Sequence, residues 1–208
     1  MGSTQQHWDA AYAQGDTTRG WYQEHARTSL CLLHEAVVTR SASILDVGGG
    51  ASVFVDDLLA DGFTDITVLD HSPVGLDTAR HRLGNQAATV DWVVSDLLSW
   101  SPPRHYDVWH DRAVLHFLRT PDERARYVDV LAAATHPGSL VVIGAFSLTG
   151  PPMCSGLPVH RYGADDLDAL LSPVAERIAT RDDVHVKPDG STQDYLWWVG
   201  RRGGVTGP

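Results

Sequence analysis

Short, nearly all-apolar runs alternate along the chain with longer segments whose apolar residues recur at helical spacing. Runs of the first kind are what parallel strands buried on both faces look like, and segments of the second kind are the helices that cover those faces. The pattern predicts strands over Ser43 to Val47, Ile66 to Asp70, Val90 to Val94, Tyr106 to His110 and Leu140 to Ala145. Ser52 to Ala60 carries Val53, Phe54, Leu58 and Leu59 at helical spacing, and Pro73 to Leu83 opens on a proline that suits a first helical turn. A further helix is predicted over Pro121 to Ala134, with Thr120 as its cap, Glu123 as the reciprocal partner and Pro137-Gly138 as its stop.

Past the fifth strand, Ser147 to Arg161 contains Pro151, Pro152, Gly156 and Pro158 and reads as a long irregular loop, of the kind that compact domains keep for function. Ala164 to Leu171 reads as a helix, and Val174 to Val186 and Gln193 to Arg201 as strands joined by a Lys187 to Ser191 turn. The architecture expected is a doubly wound α/β fold, a parallel sheet that finishes in an antiparallel hairpin. The tail from Gly203 to Pro208 is expected to fray.

The length of 208 residues suits one domain, and 43% apolar with 20% charged residues is the balance of a globular chain with a sizeable core. A net charge of -10, with no Lys/Arg run, repels a phosphate backbone and makes nucleic acid a poor partner. No apolar stretch is long enough for a membrane span, and Met1 to Asp9 lacks the order of a signal peptide, so a cytoplasmic location is expected. Cys31 and Cys154 stand far apart, without the spacing of a disulfide framework or a thiolate zinc site. With no HExxH and eleven scattered histidines, no metal is expected.

The chemistry concentrates at the ends of the strands. Gly48, Gly49 and Gly50 follow the first strand and precede a helix, which allows close backbone approach and offers free N–H groups to a charged small molecule. Asp70, at the end of the second strand, stands where a carboxylate accepts from two ribose hydroxyls. Asp96, just past the third, is placed to accept from an adenine amino group, with Leu97 to pack on the ring; it equally suits a turn or helix cap. A nicotinamide dehydrogenase is the rival, but its GxGxxG would need a small residue where Val53 stands, and Asp46 serves a cationic amino group rather than a pyrophosphate.

In order and spacing, ILDVGGG, VLDHS, VSDLL and YDVWHDRAVLHFL resemble the successive cofactor motifs of class I S-adenosylmethionine-dependent methyltransferases, over roughly residues 43 to 118. Pieces of Cys154 to Tyr162 are further similar to a bacterial subgroup with thiopurine-type and trans-aconitate-type members. The resemblance implies a Rossmann-like seven-stranded sheet with an antiparallel last strand, an N-terminal helical cap over about residues 1–40, and S-adenosyl-L-methionine as cofactor. It implies that Asp46 and the glycines hold the methionine part, Asp70 the ribose, and Asp96 with Leu97 the adenine, with His71 and Ser72 as further cofactor contacts.

Ligands of open α/β sheets bind outside the carboxyl ends of the strands, so His110 to Arg112 and the Ser147 to Arg161 loop should face the reacting methyl. His110 or His116 would serve as a general base; either equally suits a hydrogen bond in the core or a contact with the cofactor. Trp8, Tyr12, Trp21 and Tyr22 form an aromatic group suited to closing over cofactor and substrate, Trp21 on the cofactor side. Cys154, Arg161 and Tyr162 complete the substrate set; Cys154 is either a thiolate for a soft substrate or a small buried hydrophobe. The reading is methyl transfer to an O, N or S atom of a small molecule. A protein side-chain methyltransferase and a non-catalytic cofactor-binding module are the alternatives, and the sequence specifies no oligomeric state.

Overall fold

The computed structural model describes residues 2–15 and 19–203. The elements in chain order are α1 (Gly2–Ala13), α2 (Arg27–Glu35), β1 (Ser43–Val47), α3 (Phe54–Ala60), β2 (Asp65–Asp70), α4 (Pro73–Leu83), β3 (Val90–Val94) and β4 (Tyr106–Arg112). There follow α5 (Pro121–Ala134), β5 (Thr135–Phe146), β6 (Met153–Cys154), β7 (Leu157–Pro158), α6 (Ala164–Leu171), β8 (Ala175–Val186) and β9 (Thr192–Arg202). Seven strands form one sheet in the order β3-β2-β1-β4-β5-β9-β8, in which β9 alone runs antiparallel to its two neighbours. This is the Rossmann-like architecture expected, with α1 and α2 ahead of the first strand.

Alternation along the strands assigns the two core layers. Leu45, Val47, Trp109, Val141 and Ile143 pack with α5 and α6 on one face, while Ile44, Val108, Leu140 and Val142 pack with α2, α3 and α4 on the other. Local chemistry sets several boundaries: Thr120 and Glu123 form the reciprocal capping box of α5, and Ser72 caps α4 ahead of Pro73.

Two stretches differ from the sequence reading. Pro137-Gly138 does not stop α5, because the chain passes directly from Ala134 into β5, and both residues fall where the β4–β5 register jumps between Tyr106 and Val108. A proline without an N–H and Gly138 at φ +91° are tolerated there because the ladder is already interrupted. The Ser147 to Arg161 stretch is not wholly irregular, since β6 and β7 pair within it across a two-residue turn, Ser155 and Gly156, both at positive φ. Residues 204–208 of the tail lie outside the described residues.

Candidate active site

A cavity of about 710 Å³ runs along the carboxyl edge of β3, β2, β1 and β4. At its centre β1 delivers Asp46 and then turns through Gly48 at φ +67°, and the N–H groups of Gly48 and Gly49 donate to Leu69 O at 2.7 and 3.3 Å. Gly49 has to be glycine for a steric reason: a Cβ there would overlap Asp46 Oδ2 and stand 2.5 Å from Val68 Cγ1. The turn therefore lies flat beside the carboxylate and leaves it open to the cavity.

Asp46 is buried, and its two oxygens have different roles. Oδ1 is 2.7 Å from His110 Nδ1, while Oδ2 is buried without a partner; the residue lines the cavity. Asp46 and His110 are register neighbours on β1 and β4, so their side chains share one face of the sheet. Since a carboxylate only accepts, Nδ1 carries the proton, and Nε2 accepts from Ser29 Oγ of α2 at 2.9 Å. The ring packs on Phe54 with centroids 4.1 Å apart and near Trp197 at 6.0 Å.

Next to this, Asp70 Oδ1 accepts from Ser72 N at 2.7 Å. Burial, with the negative charges of Asp46 and Asp9 adding to it, pushes its carboxyl up to about 7 against the hydrogen bonds that favour its ionisation. His71 lines the cavity with a buried, unpartnered Nε2. Asp96 and Leu97 line it too, and Asp96 also caps a short turn by accepting from Leu98 N at 2.9 Å. Ser72 does not line the cavity: its hydroxyl accepts from Gly75 N, capping α4, and donates to Asp9 of α1. Gly50 lies behind the Tyr12 hydroxyl rather than on the wall.

The wall is also aromatic. Trp8 and Tyr12 from α1, with Trp21 and Tyr22 from the following segment, line the cavity as expected, and Phe117 joins them at 5.1 Å from Trp8. Tyr12 is half-buried beside Asp70 and Asp46, and desolvation followed by the charge of those carboxylates holds its phenol well above the ordinary value. Arg112, at the end of β4, donates through Nη1 to Trp21 O at 3.2 Å and lies 5.0 Å over Tyr195. Its Nη2 is buried and unpartnered. Sequence reasoning placed this segment at the reacting methyl but gave Arg112 no role; its position just past β4 was the available signal. Nothing in the sequence marked Ser29, whose partner lies 81 residues away.

Besides Gly50 and Ser72, three expected site residues, His116, Arg161 and Tyr162, lie off the cavity wall. His116 is buried off the wall, where Phe146 N donates to its Nδ1 at 3.4 Å; burial and then the Arg112 charge pull its pKa down to about 3. His110 does line the cavity, with its Nε2 turned to Ser29 Oγ of α2 at 2.9 Å. Arg161 is exposed and braces the loop by donating to Leu148 O and Gly150 O at 3.0 and 3.2 Å. Tyr162 packs in the core under α5 and α6. Cys154 does line the cavity, and burial pushes its thiol up, which favours the packed hydrophobe over the thiolate.

Residues 44–138 match the family described as "Methyltransferase domain". The chain belongs to the class I S-adenosylmethionine-dependent methyltransferases, whose methyl donor is S-adenosylmethionine. Nodulation protein S of Rhizobium tropici is 31% identical over 174 residues, which cover 84% of this chain and 68% of that one. EEF1A lysine methyltransferase 2 of Mus musculus is 30% identical over 106 residues, 46% of this chain, so the match spans only 43% of that relative's length. Among solved structures, the fold is similar to that of N-methyltransferase NodS from Bradyrhizobium japonicum WM9 in complex with S-adenosyl-L-homocysteine, with a TM-score of 0.73 at 20% identity, covering 96% of this chain and 98% of that one.

The residues present fit that cofactor. An open carboxylate oxygen on Asp46, an unpartnered His71 Nε2 and the glycine cradle are what a nucleoside bearing an amino acid needs. Among the described residues no three His, Cys, Asp or Glu side chains are grouped to hold a metal, and no helix is long and apolar enough to cross a membrane.

Proposed function

We propose that the protein transfers a methyl group from S-adenosylmethionine to an oxygen, nitrogen or sulfur atom of a small molecule, working as one domain over residues 1–208 in the cytoplasm. The observation that carries this reading is the cavity of about 710 Å³, whose wall combines the carboxylates of Asp46, Asp70 and Asp96 with Trp8, Trp21, Phe117 and Arg112. Small-molecule sites fall in the range of roughly 300–1,000 Å³, and the aromatic roof suits a compact second molecule rather than a polypeptide. Asp46, Asp70 and Asp96 are the residues that would hold the cofactor, which supplies a methyl already activated on a sulfonium. The protein's own work is to align the acceptor and exclude water. With His110 Nε2 turned to Ser29 on α2 and His116 off the wall, the acceptor that suits this cavity is one that arrives ready to react, such as a neutral amine or an ionised acid.

The unpartnered Nη2 of Arg112 supports an acceptor that carries an anionic group, and the overall charge of -10 supports a partner other than nucleic acid. The similarity to a lysine methyltransferase favours a protein acceptor instead, but a lysine ammonium would be desolvated beside a like charge at Arg112. Incubation with methyl-labelled S-adenosylmethionine and panels of small acids, amines, thiols and proteins tests the reading. Label in a small molecule is expected. Label confined to protein would overturn the small-molecule reading, and cofactor binding without transfer to any panel would favour a binding module.

A further inference from the structure

His110 and Asp46 are two buried groups on neighbouring strands, each bonded at one atom to the other, with one carboxylate oxygen left without a partner in a residue that lines the cavity. We infer that His110 is a positioning residue, which holds the Asp46 carboxylate by one oxygen so that the other is presented to the cofactor's amino group. The inference rests on the reading that Asp46 faces S-adenosylmethionine.

Three features of the geometry carry it. A carboxylate free to rotate about its Cβ–Cγ bond offers two equivalent oxygens to any cation; a 2.7 Å bond from Nδ1 assigns one of them and orients the other. The imidazole is itself held, because Ser29 Oγ donates to Nε2 at 2.9 Å and so keeps the proton on Nδ1. The ring has no room to turn away, being 1% exposed and set between Phe54 and Trp197. Since Ser29 stands on α2, the orientation of a cofactor contact at the end of β1 depends on a helix of the N-terminal cap. The chain Ser29, His110, Asp46 thus ties the cap to the cofactor end of the cavity without any covering segment having to move.

A ring that only fills space and a ring that orients Asp46 predict opposite rankings of variants. His110→Phe keeps the packing and removes the donor. His110→Asn keeps a donor at the position of Nδ1 and loses the ring, whereas His110→Gln moves the donor to the position of Nε2, toward Ser29 and away from Asp46. The measurement is calorimetric binding of S-adenosylhomocysteine to the full chain, with thermal denaturation of each variant alongside.

Positioning predicts that His110→Phe and His110→Gln weaken binding by about tenfold or more, the loss of one charged hydrogen bond, while His110→Asn stays within about threefold of the unmodified protein. The melting temperature should follow ring packing instead and fall most in the Asn and Gln variants. Binding by His110→Phe equal to or better than by His110→Asn overturns the inference. If His110→Phe does not fold, the Asn and Gln pair decides, since both lose the ring and only one keeps the donor on Asp46; equal affinities there overturn it as well. Asp46→Asn separates this failure from that of the underlying reading. If it binds S-adenosylhomocysteine as tightly as the unmodified protein, Asp46 does not face the cofactor, and both statements fall.

Discussion

Asp70→Asn keeps the shape of the side chain and its acceptor for the Ser72 N–H at 2.7 Å, but removes the charge. In the folded protein burial holds this carboxyl protonated up to about pH 7, against an ordinary value of 3.8. Between those two values the folded state binds the proton that the unfolded state has released, so stability is full below about 3.8 and falls as pH rises through about 7. Ionising Asp70 at pH 8 therefore costs on the order of 4 kcal/mol of stability, at about 1.4 kcal/mol for each pH unit. An uncharged isostere escapes that cost. Chemical denaturation at pH 8 is expected to show the Asn variant more stable than the parent by a few kcal/mol, with the difference shrinking toward pH 4. The same variant should bind S-adenosylhomocysteine well over tenfold more weakly, because hydrogen bonds from ribose hydroxyls to a charged acceptor are each worth about 1.5 to 3 kcal/mol. Affinity of the parent should also fall below pH 7 as Asp70 takes its proton, and the Asn variant, measured in parallel, reports any titration that belongs to the ligand. A variant no more stable than the parent at pH 8, with parental affinity, would refute the argument that Asp70 is a buried carboxylate kept for the cofactor.

Gly49→Ala is expected to abolish measurable S-adenosylhomocysteine binding in calorimetry, because its Cβ would overlap Asp46 Oδ2 and approach Val68 Cγ1 to 2.5 Å; retained affinity would show that the turn is not the cofactor cradle. Arg112→Gln should raise the acceptor's KM about tenfold or more and leave cofactor affinity within about twofold, since it removes a cation at the acceptor end. An equal loss of cofactor binding would place Arg112 on the cofactor instead. Leu45→Ala, in the core between β1 and the helices beyond it, should cost about 2 to 5 kcal/mol in denaturation without changing the cavity wall, whereas Trp21→Ala should lower turnover more than stability.

Periodicity and local chemistry are properties of short segments, and these were legible in the sequence. The strands Ser43–Val47 and Val90–Val94, the helices Pro73–Leu83, Pro121–Ala134 and Ala164–Leu171, and the Thr120–Glu123 capping box follow from spacing and from contacts three or four residues apart. The carboxylates of the cavity were legible for the same reason: Asp46, Asp70 and Asp96 each sit at or just past a strand's carboxyl end, and in an open α/β sheet those ends meet along one edge. What the tertiary structure alone decided is which side chains face one another across long separations. His110 and His116 look equivalent in sequence, six residues apart. Only the β1–β4 register sets the first beside Asp46, 64 residues away, and only the packing of the turn after β4 hides the second. Arg161 and Arg112 were likewise two basic residues near the expected site. Backbone carbonyls of its own loop take the first, while the burial of the second against Trp21 and Tyr195 leaves a donor without an acceptor. Strand register and helix docking bring such groups together through the summed burial of apolar surface over the whole sheet, and no local stretch of sequence contains that sum.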